Sequence, residues 1–428
     1  MSDDSIPVTV LSGTLGAGKT TTLNHVLHET DRDLAVLVND MGEVNVDADR
    51  VAESSDITDE DEELIELSNG CICCELRGDL LDAIGELTAS DREFDAIVVE
   101  STGVAEPLPV AQTLTLGFDQ SDLDPTEFYE ETGIEPLEGC HLDTTVTVVD
   151  AHQFHEAMQS DEVLDDDGTK KHLGDLLVEQ VEFCDVLLLN KCDLVDEDTL
   201  SEIEETVSVL QPRAEILRIE HGRVDPDDVI DTDRFDFEDA SRSAGWMQEL
   251  QEPHESAEEE HGVTSFVFEA RRPFHPERFA DLLDAFPEDV VRSKGHFWIA
   301  TREDVAITLN VAGKSIRVAP AGRWVDALPA DEREEQLEAY PQLEDAWHDR
   351  WGDRNDRLVV IGVEMDHDDL RDALEACLLT DGELEEDWSS YENRFPPFEP
   401  SAESEAEDAT DGPGAETEDD QEEIGLAD

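Results

Sequence analysis

At 428 residues, 38% of them hydrophobic, the chain is long enough for two ordinary domains, each with a core of its own. Its 113 Asp and Glu against 28 Lys and Arg give a formal net charge of −85, which opposes any binding to nucleic-acid phosphates. No apolar run reaches the roughly 18 residues of a membrane span, and residues 1–7 lack the basic and apolar regions of a signal peptide, so neither a membrane nor export is expected.

A short apolar strand over 8–11 comes first, followed by a glycine-rich loop and a helix with apolar residues at Leu23, Val26 and Leu27. Further strands are expected at 34–38, 96–99, 145–149 and 186–189, with helical stretches at 76–87 and 199–210 between them. Most of these strands are continuously apolar and rich in β-branched residues, as strands buried on both faces of a parallel sheet should be. Residues 1–230 therefore read as an α/β, doubly wound, mostly parallel domain.

Residues 231–262 read as an acidic, exposed linker. A smaller α+β domain is expected over 263–382, with strands at 265–270, 297–300, 305–311, 315–318 and 358–363 and helices at 276–286 and 367–378. A polar, partly helical insertion at 330–351 carries Trp347 and Trp351. Residues 383–428 form an acidic tail, dominated from 399 onward by Ser, Glu, Asp, Ala, Gly and Pro, and no fixed structure is expected there.

The acids are spread along the whole chain, which argues for a surface adaptation rather than one acidic arm. The composition resembles that of a salt-in halophile. Self-repulsion on this scale should destabilise the compact state until concentrated salt screens it, to within about 3 Å at 1 M.

The loop Gly13, Thr14, Leu15, Gly16, Ala17, Gly18, Lys19, Thr20 matches the G-x-x-x-x-G-K-[ST] phosphate loop in full, and it lies between a strand and a helix that Thr21 helps to open. Its glycines let backbone N–H groups turn onto phosphate oxygens, Lys19 neutralises β/γ charge, and the Thr20 hydroxyl can ligate Mg²⁺. Asn190, Lys191 and Asp193 form an N-K-x-D tetrad directly after the strand at 186–189. The Asp193 carboxylate can accept from guanine N1–H and the exocyclic amine, a donor pair that adenine lacks, so the ligand is GTP. Glu100, at the end of the strand over 96–99, can hold the Mg²⁺ shell, and Gly103 lets the backbone approach the γ-phosphate. A carboxylate capping the next helix is the lesser alternative. No arginine finger or attacking-water glutamine stands out, so intrinsic hydrolysis should be slow.

Cys71, Cys73 and Cys74 place three thiols within four residues, between the second and third expected strands. Such thiols can converge on one soft ion, Zn²⁺ being the usual choice; a redox dithiol and chance clustering are the competing readings. The segment joining those strands in a nucleotide-switch protein responds to the γ-phosphate, which would couple the thiols to the nucleotide. Cys140, Cys184, Cys192 and Cys377 are isolated and read as packing residues. The odd count of seven points to a reducing cytoplasm rather than disulfides. His254 and His261 flank an acidic run in the linker and read as incidental.

These motifs resemble the CobW-type metallochaperone GTPases, relatives of the nickel-insertion GTPases. The resemblance rests on GTLGAGKTT from Gly13, NDMGEVNVDA from Asn39, NGCICC from Asn69, ESTGVAEP from Glu100, LDTTVTVVDA from Leu142 and LNKCD from Leu189. It continues through SFVFEARRPFHPERF from Ser265, RSKGHFWIA from Arg292, GDRNDRLVVIGVEMD from Gly352 and CLLTD from Cys377, the latter motifs looking most like the zinc-associated branch. What it implies is GTP hydrolysis coupled to delivery of a transition metal to a metal-requiring client protein. The metal would be zinc, with Co²⁺ for cobalamin synthesis and a non-enzymatic zinc sensor as alternatives. The resemblance makes Cys71, Cys73 and Cys74 metal ligands, joined by the switch-region carboxylate Glu43. At Val38 some members carry a second carboxylate, for which Asp40 could substitute. Like copies could associate into a homo-oligomer.

Overall fold

The computed structural model describes residues 5–39, 63–67, 139–160, 163–166, 169–236, 263–341, 347–363 and 365–395, with most of 80–101 and a few isolated positions. Glu43, Cys71, Cys73, Cys74 and Gly103 lie outside the described residues, as do most of 237–262 and all of 396–428.

The first domain is built on strands β1 (Ile6–Ser12), β2 (Leu34–Asn39), β3 (Glu63–Leu67), β4 (Ala96–Glu100), β5 (Cys140–Asp150), β8 (Val186–Asn190) and β9 (Glu215–Arg218), with a hairpin of β6 (Val163–Asp166) and β7 (Thr169–His172). The seven-stranded sheet runs β3-β2-β4-β1-β5-β8-β9, and every pairing in it is parallel. Helices α1 (Lys19–Glu29), α2 (Ala151–Met158), α3 (Leu173–Val181) and α4 (Glu197–Leu210) cover its faces. The alternation along β2 explains its unbroken apolar run: Leu34, Val36 and Val38 enter the core that holds Leu23, Val26 and Leu27 of α1, while Ala35 and Leu37 enter the core on the opposite face. Burial of each Val or Leu contributes roughly 1.5–3 kcal/mol, so both faces stabilise the strand.

The strand order reverses at β1, and the carboxyl ends of its neighbours come level there. Leu11 pairs with Glu100, and Asp150 pairs with Asn190. A crevice at such a switch point is where open parallel sheets hold ligands.

The second domain is a five-stranded antiparallel sheet, β10 (Val263–Ala270), β11 (Val290–Ile299), β12 (Arg302–Ala312), β13 (Ser315–Arg323) and β14 (Asp356–Val363), in the order β10-β14-β11-β12-β13. Helices α5 (Pro276–Asp284) and α7 (His367–Cys377) cover one face over a phenylalanine core, in which Phe274 and Phe279 stack at 4.0 Å. A helix in the insertion, α6 (Ala330–Ala339), buries no residue, but Trp351 from the same insertion packs against buried Trp298.

The other face of the second sheet meets the first domain. Val209 of α4 packs with Val359 and Ile361 of β14. Arg292 of β11 is wholly buried and places Nε and Nη2 on the two carboxylate oxygens of Glu182, the C-cap of α3, at 2.6 and 2.9 Å. Near the start of α3, Asp175 accepts from Asn310 Nδ2 at 3.0 Å and Ser315 Oγ at 3.3 Å and pairs with Arg317. Burial raises the Asp175 carboxyl above its ordinary value, against the lowering pull of Arg317 and Arg292. On its inner side α3 is tied to the sheet: Thr147 Oγ1 donates to Gln180 O at 3.1 Å and shares a 2.8 Å hydrogen bond with Ser12 Oγ.

Two expected boundaries move. Residues 231–236 dock on the first domain rather than starting an exposed linker: the buried Asp143 carboxylate accepts from Thr232 N at 2.9 Å and Asp233 N at 2.7 Å, and Phe235 meets Phe183 edge-on. The tail does not begin at 383. Short helical turns at Glu383–Glu385 and Trp388–Ser390 lead to Phe395, which is buried in the phenylalanine core. Arg278 holds Glu383 at 2.7 and 2.9 Å, which lowers that carboxyl to about 2. No helix among the described residues is long and apolar enough to cross a membrane.

Candidate functional site: the nucleotide crevice

The loop after β1 lies where the sequence places it, between β1 and α1. Gly18 must be glycine: its φ is 113°, and a Cβ there would lie 2.4 Å from Asn190 Nδ2. That close approach joins the two motifs. Asn190 Nδ2 donates to Ala17 O at 2.9 Å, and Asn190 Oδ1 accepts from Gly222 N at 3.2 Å. Gly222 in turn lies against α1, where a Cβ would meet Thr22 N at 2.8 Å. The buried Asn190 therefore holds the phosphate loop and the loop carrying Gly222 in one register.

Lys19 is buried and turns back across the loop, donating to Gly13 O at 2.8 Å and Thr14 O at 3.4 Å. Thr20 Oγ1 donates to Glu100 Oε1 at 3.1 Å, and Glu100 is buried at the end of β4. A hydroxyl and a carboxylate adjacent to the phosphate loop are hard oxygen donors, which fit Mg²⁺. Ala17 is fully buried, with its N–H turned onto Thr14 O at 3.1 Å; Leu15 is 77% exposed and Thr21 is exposed.

Lys191 adopts a left-handed backbone at φ 62° and reaches two partners, Gly16 O and Asp150 Oδ2, each at 2.7 Å. Asp193 follows in a helical turn, Cys192–Leu194, and is exposed just beyond the carboxyl end of β8, where its carboxylate can meet a base.

Asp150 and Gln153 join the candidate site from outside the two motifs, through Lys191 and Thr14. The Asp150 carboxylate caps α2, accepting from His152 N at 3.0 Å and Gln153 N at 3.2 Å, and also receives Lys191. Gln153 Oε1 accepts from Thr14 Oγ1 at 2.6 Å. The first turn of α2 thus braces the phosphate loop from the side opposite Glu100. The signal available in the sequence is the acid that ends the apolar run of β5.

The isolated cysteines behave as packing residues. Burial pushes Cys140 and Cys377 up to about 11 and raises Cys184 and Cys192 as well, so these thiols stay protonated. Among the described residues there is no group of three or more His, Cys, Asp or Glu able to hold a metal ion, and the three clustered thiols lie outside them.

The family model "CobW/HypB/UreG, nucleotide-binding domain" matches residues 7–218, and "Cobalamin synthesis protein cobW C-terminal domain" matches residues 263–378. The chain is 39% identical over 400 residues to "Zinc-regulated GTPase metalloprotein activator 1" of Dictyostelium discoideum, across 89% of this chain and 81% of that one. It is 31% identical over 346 residues to "Zinc chaperone Rv0106" of Mycobacterium tuberculosis, across 78% of this chain and 79% of the relative. A solved structure of "Zn(II)-bound YjiA GTPase from E. coli" aligns over 89% of this chain and all of its own, at 22% identity and a TM-score of 0.38. The fold assignment rests on the sheet order and on the family models instead.

Proposed function

The chain belongs to the CobW/HypB/UreG family, and we propose that it is a GTP-hydrolysing metallochaperone that couples its nucleotide state to binding zinc and delivering it to a client protein. The observation that supports the GTP half is the double hydrogen bond of Asn190, the first residue of the N-K-x-D tetrad, which ties the phosphate loop to the loop carrying Gly222. Preorganisation of that kind lowers the cost of ordering the site on binding.

In this reading Asp193 selects guanine. Lys19 leaves its backbone acceptors for the β/γ-phosphates, with Gly13, Gly16 and Gly18 shaping the backbone cradle around them. Thr20 and Glu100 would hold Mg²⁺, which supplies charge neutralisation at the γ-phosphate. Zinc is the cargo. Its proposed ligands are the Cys71, Cys73 and Cys74 thiolates with the Glu43 carboxylate, a donor set suited to a soft-to-borderline ion. The names of the relatives, a zinc-regulated activator and a zinc chaperone, support zinc over cobalt.

Phosphate release from GTP, measured with and without zinc and with ATP as the control, tests this. Slow turnover of GTP alone, altered by zinc, is expected. Stoichiometric zinc binding with no turnover would make the protein a buffer or sensor and overturn the proposal.

A further inference from the structure

Helix α2 meets the phosphate loop at one end and the second domain at the other. Its first turn holds the loop at two places. Thr14 Oγ1 donates to Gln153 Oε1 at 2.6 Å, and Lys191 bridges Asp150 Oδ2 and Gly16 O at 2.7 Å each. Met158, its last residue, has a carbonyl that no later turn of the helix takes up. The second domain supplies the donor: Lys314 N, in the turn between β12 and β13, reaches Met158 O at 3.1 Å.

No side chain separates the two backbones at that far end. Gly313 has a left-handed φ of 55°, and a Cβ on it would collide with Met158 O. Gly174 of α3 borders the same turn, where a Cβ would lie 3.3 Å from Ala312 O and 3.4 Å from Ala157 O. Ala312 pairs with Ser315, so Gly313 and Lys314 form a two-residue turn whose course its strands set. Between its ends α2 has little room to give. Ala151, Phe154 and Ala157 are at most 1% exposed, in a core shared with Leu189 of β8 and Ala312 of β12. A helix of 8 residues is about 12 Å long, and close packing transmits a displacement rather than absorbing it.

We propose that Gln153 and Gly313 are positioning residues at the two ends of a strut, α2, through which nucleotide at the phosphate loop sets the seat of the β12–β13 turn. This rests on the nucleotide half of the proposed function and not on zinc. Thr14 is the pivot: its carbonyl accepts from Lys19 at 3.4 Å while its hydroxyl is bonded to Gln153. Phosphate oxygens compete with that carbonyl for the Lys19 ammonium, a charged acceptor against a neutral one. Binding therefore acts on the residue that α2 holds. By linkage the effect also runs in reverse, so a change at the turn alters nucleotide affinity.

The test is hydrogen exchange read by mass spectrometry on the full chain, without nucleotide and with a non-hydrolysable GTP analogue at concentrations that saturate each variant. The amides followed are those of Gly313, bonded to Val291 O at 3.0 Å, and Lys314. In the parent the analogue should change their exchange by about threefold or more. Gln153→Leu removes the acceptor for Thr14 and should abolish that response, whereas Gln153→Glu keeps an acceptor and should retain it. From the other end, Gly313→Ala should change affinity for the analogue by at least about threefold, while Lys314→Ala, which keeps the backbone donor, should not. Should Gly313→Ala fail to fold, the Gln153 pair decides alone. No response in the parent, or a full response in Gln153→Leu, would overturn the proposal. Failure to bind the analogue at all would overturn the nucleotide reading with it, whereas binding without a response overturns the proposal only.

Discussion

Arg292 and Glu182 form a two-pronged ion pair across the domain boundary, with Nε and Nη2 of the one at 2.6 and 2.9 Å from the two oxygens of the other. Both side chains are buried, and Asn310 Oδ1 accepts the remaining guanidinium edge at 2.6 Å. Removing one partner strands the other charge out of water. Arg292→Met should therefore destabilise the protein by about 3–5 kcal/mol, while the double variant Arg292→Met, Glu182→Leu should recover most of that loss. Chemical denaturation of the three proteins checks this, and equal losses in single and double variants would contradict it.

In the proposed reading Asp193 selects the base, and its exchange tests that role. Asp193→Asn presents an amide to the guanine N1–H and exocyclic amine, so GTP affinity should fall by at least about 100-fold and xanthosine triphosphate should become the better ligand. Competition binding with the two nucleotides reads this directly.

Thr20 and Glu100 meet at 3.1 Å beside the phosphate loop. Thr20→Ala deletes one hard oxygen donor and should raise the Mg²⁺ concentration for half-maximal turnover at least about tenfold. The fold should be unaffected, because the hydroxyl is only half-buried. An unchanged Mg²⁺ requirement would remove Thr20 from the metal's shell.

Asp356 is fully buried, and burial raises its carboxyl well above the ordinary 3.8 despite the hydrogen bond from Trp298 N at 2.9 Å. A carboxyl with a raised folded-state value favours the folded protein when protonated. Its contribution is present below 3.8 and is lost as pH climbs from there through the folded value. Asp356→Asn keeps the acceptor and removes the titration. The variant should be more stable than the parent at neutral pH and no more stable below about pH 4; thermal melts across that range decide.

Salt should set the melting temperature. With a net charge of −85, the parent should melt at a lower temperature in about 0.1 M than in about 2 M salt. A sharp transition at the lower concentration with no gain at the higher would sink the charge-repulsion account.

The sequence made β2 and β8 legible because both faces are buried, so every residue of the run is apolar. It hid β9, whose four residues Glu215–Arg218 sit at a sheet edge with no buried position. It hid the seat of Phe395 as well, since the aromatics of this acidic stretch follow no helical or strand period; only the phenylalanine cluster reveals it. At the candidate site, Gly13 through Thr20 and Asn190 through Asp193 could be singled out by local spacing, and the structure brings the two segments together through Asn190. Asp150 and Gln153 act only through where β5 and α2 bring them, which spacing does not encode.

Helix α3 has its inner side bonded through Thr147 to Ser12, immediately before the phosphate loop, and its two ends bonded to the second sheet through Asp175 and Glu182. Severing the chain between the domains would bring those two acids into solvent and strip Val209 of its cover. Fragments made that way would not be faithful miniatures of the parent. Calorimetry of the intact chain should record one shared endotherm for both sheets rather than two, so that a lesion in either half lowers the melting of the whole.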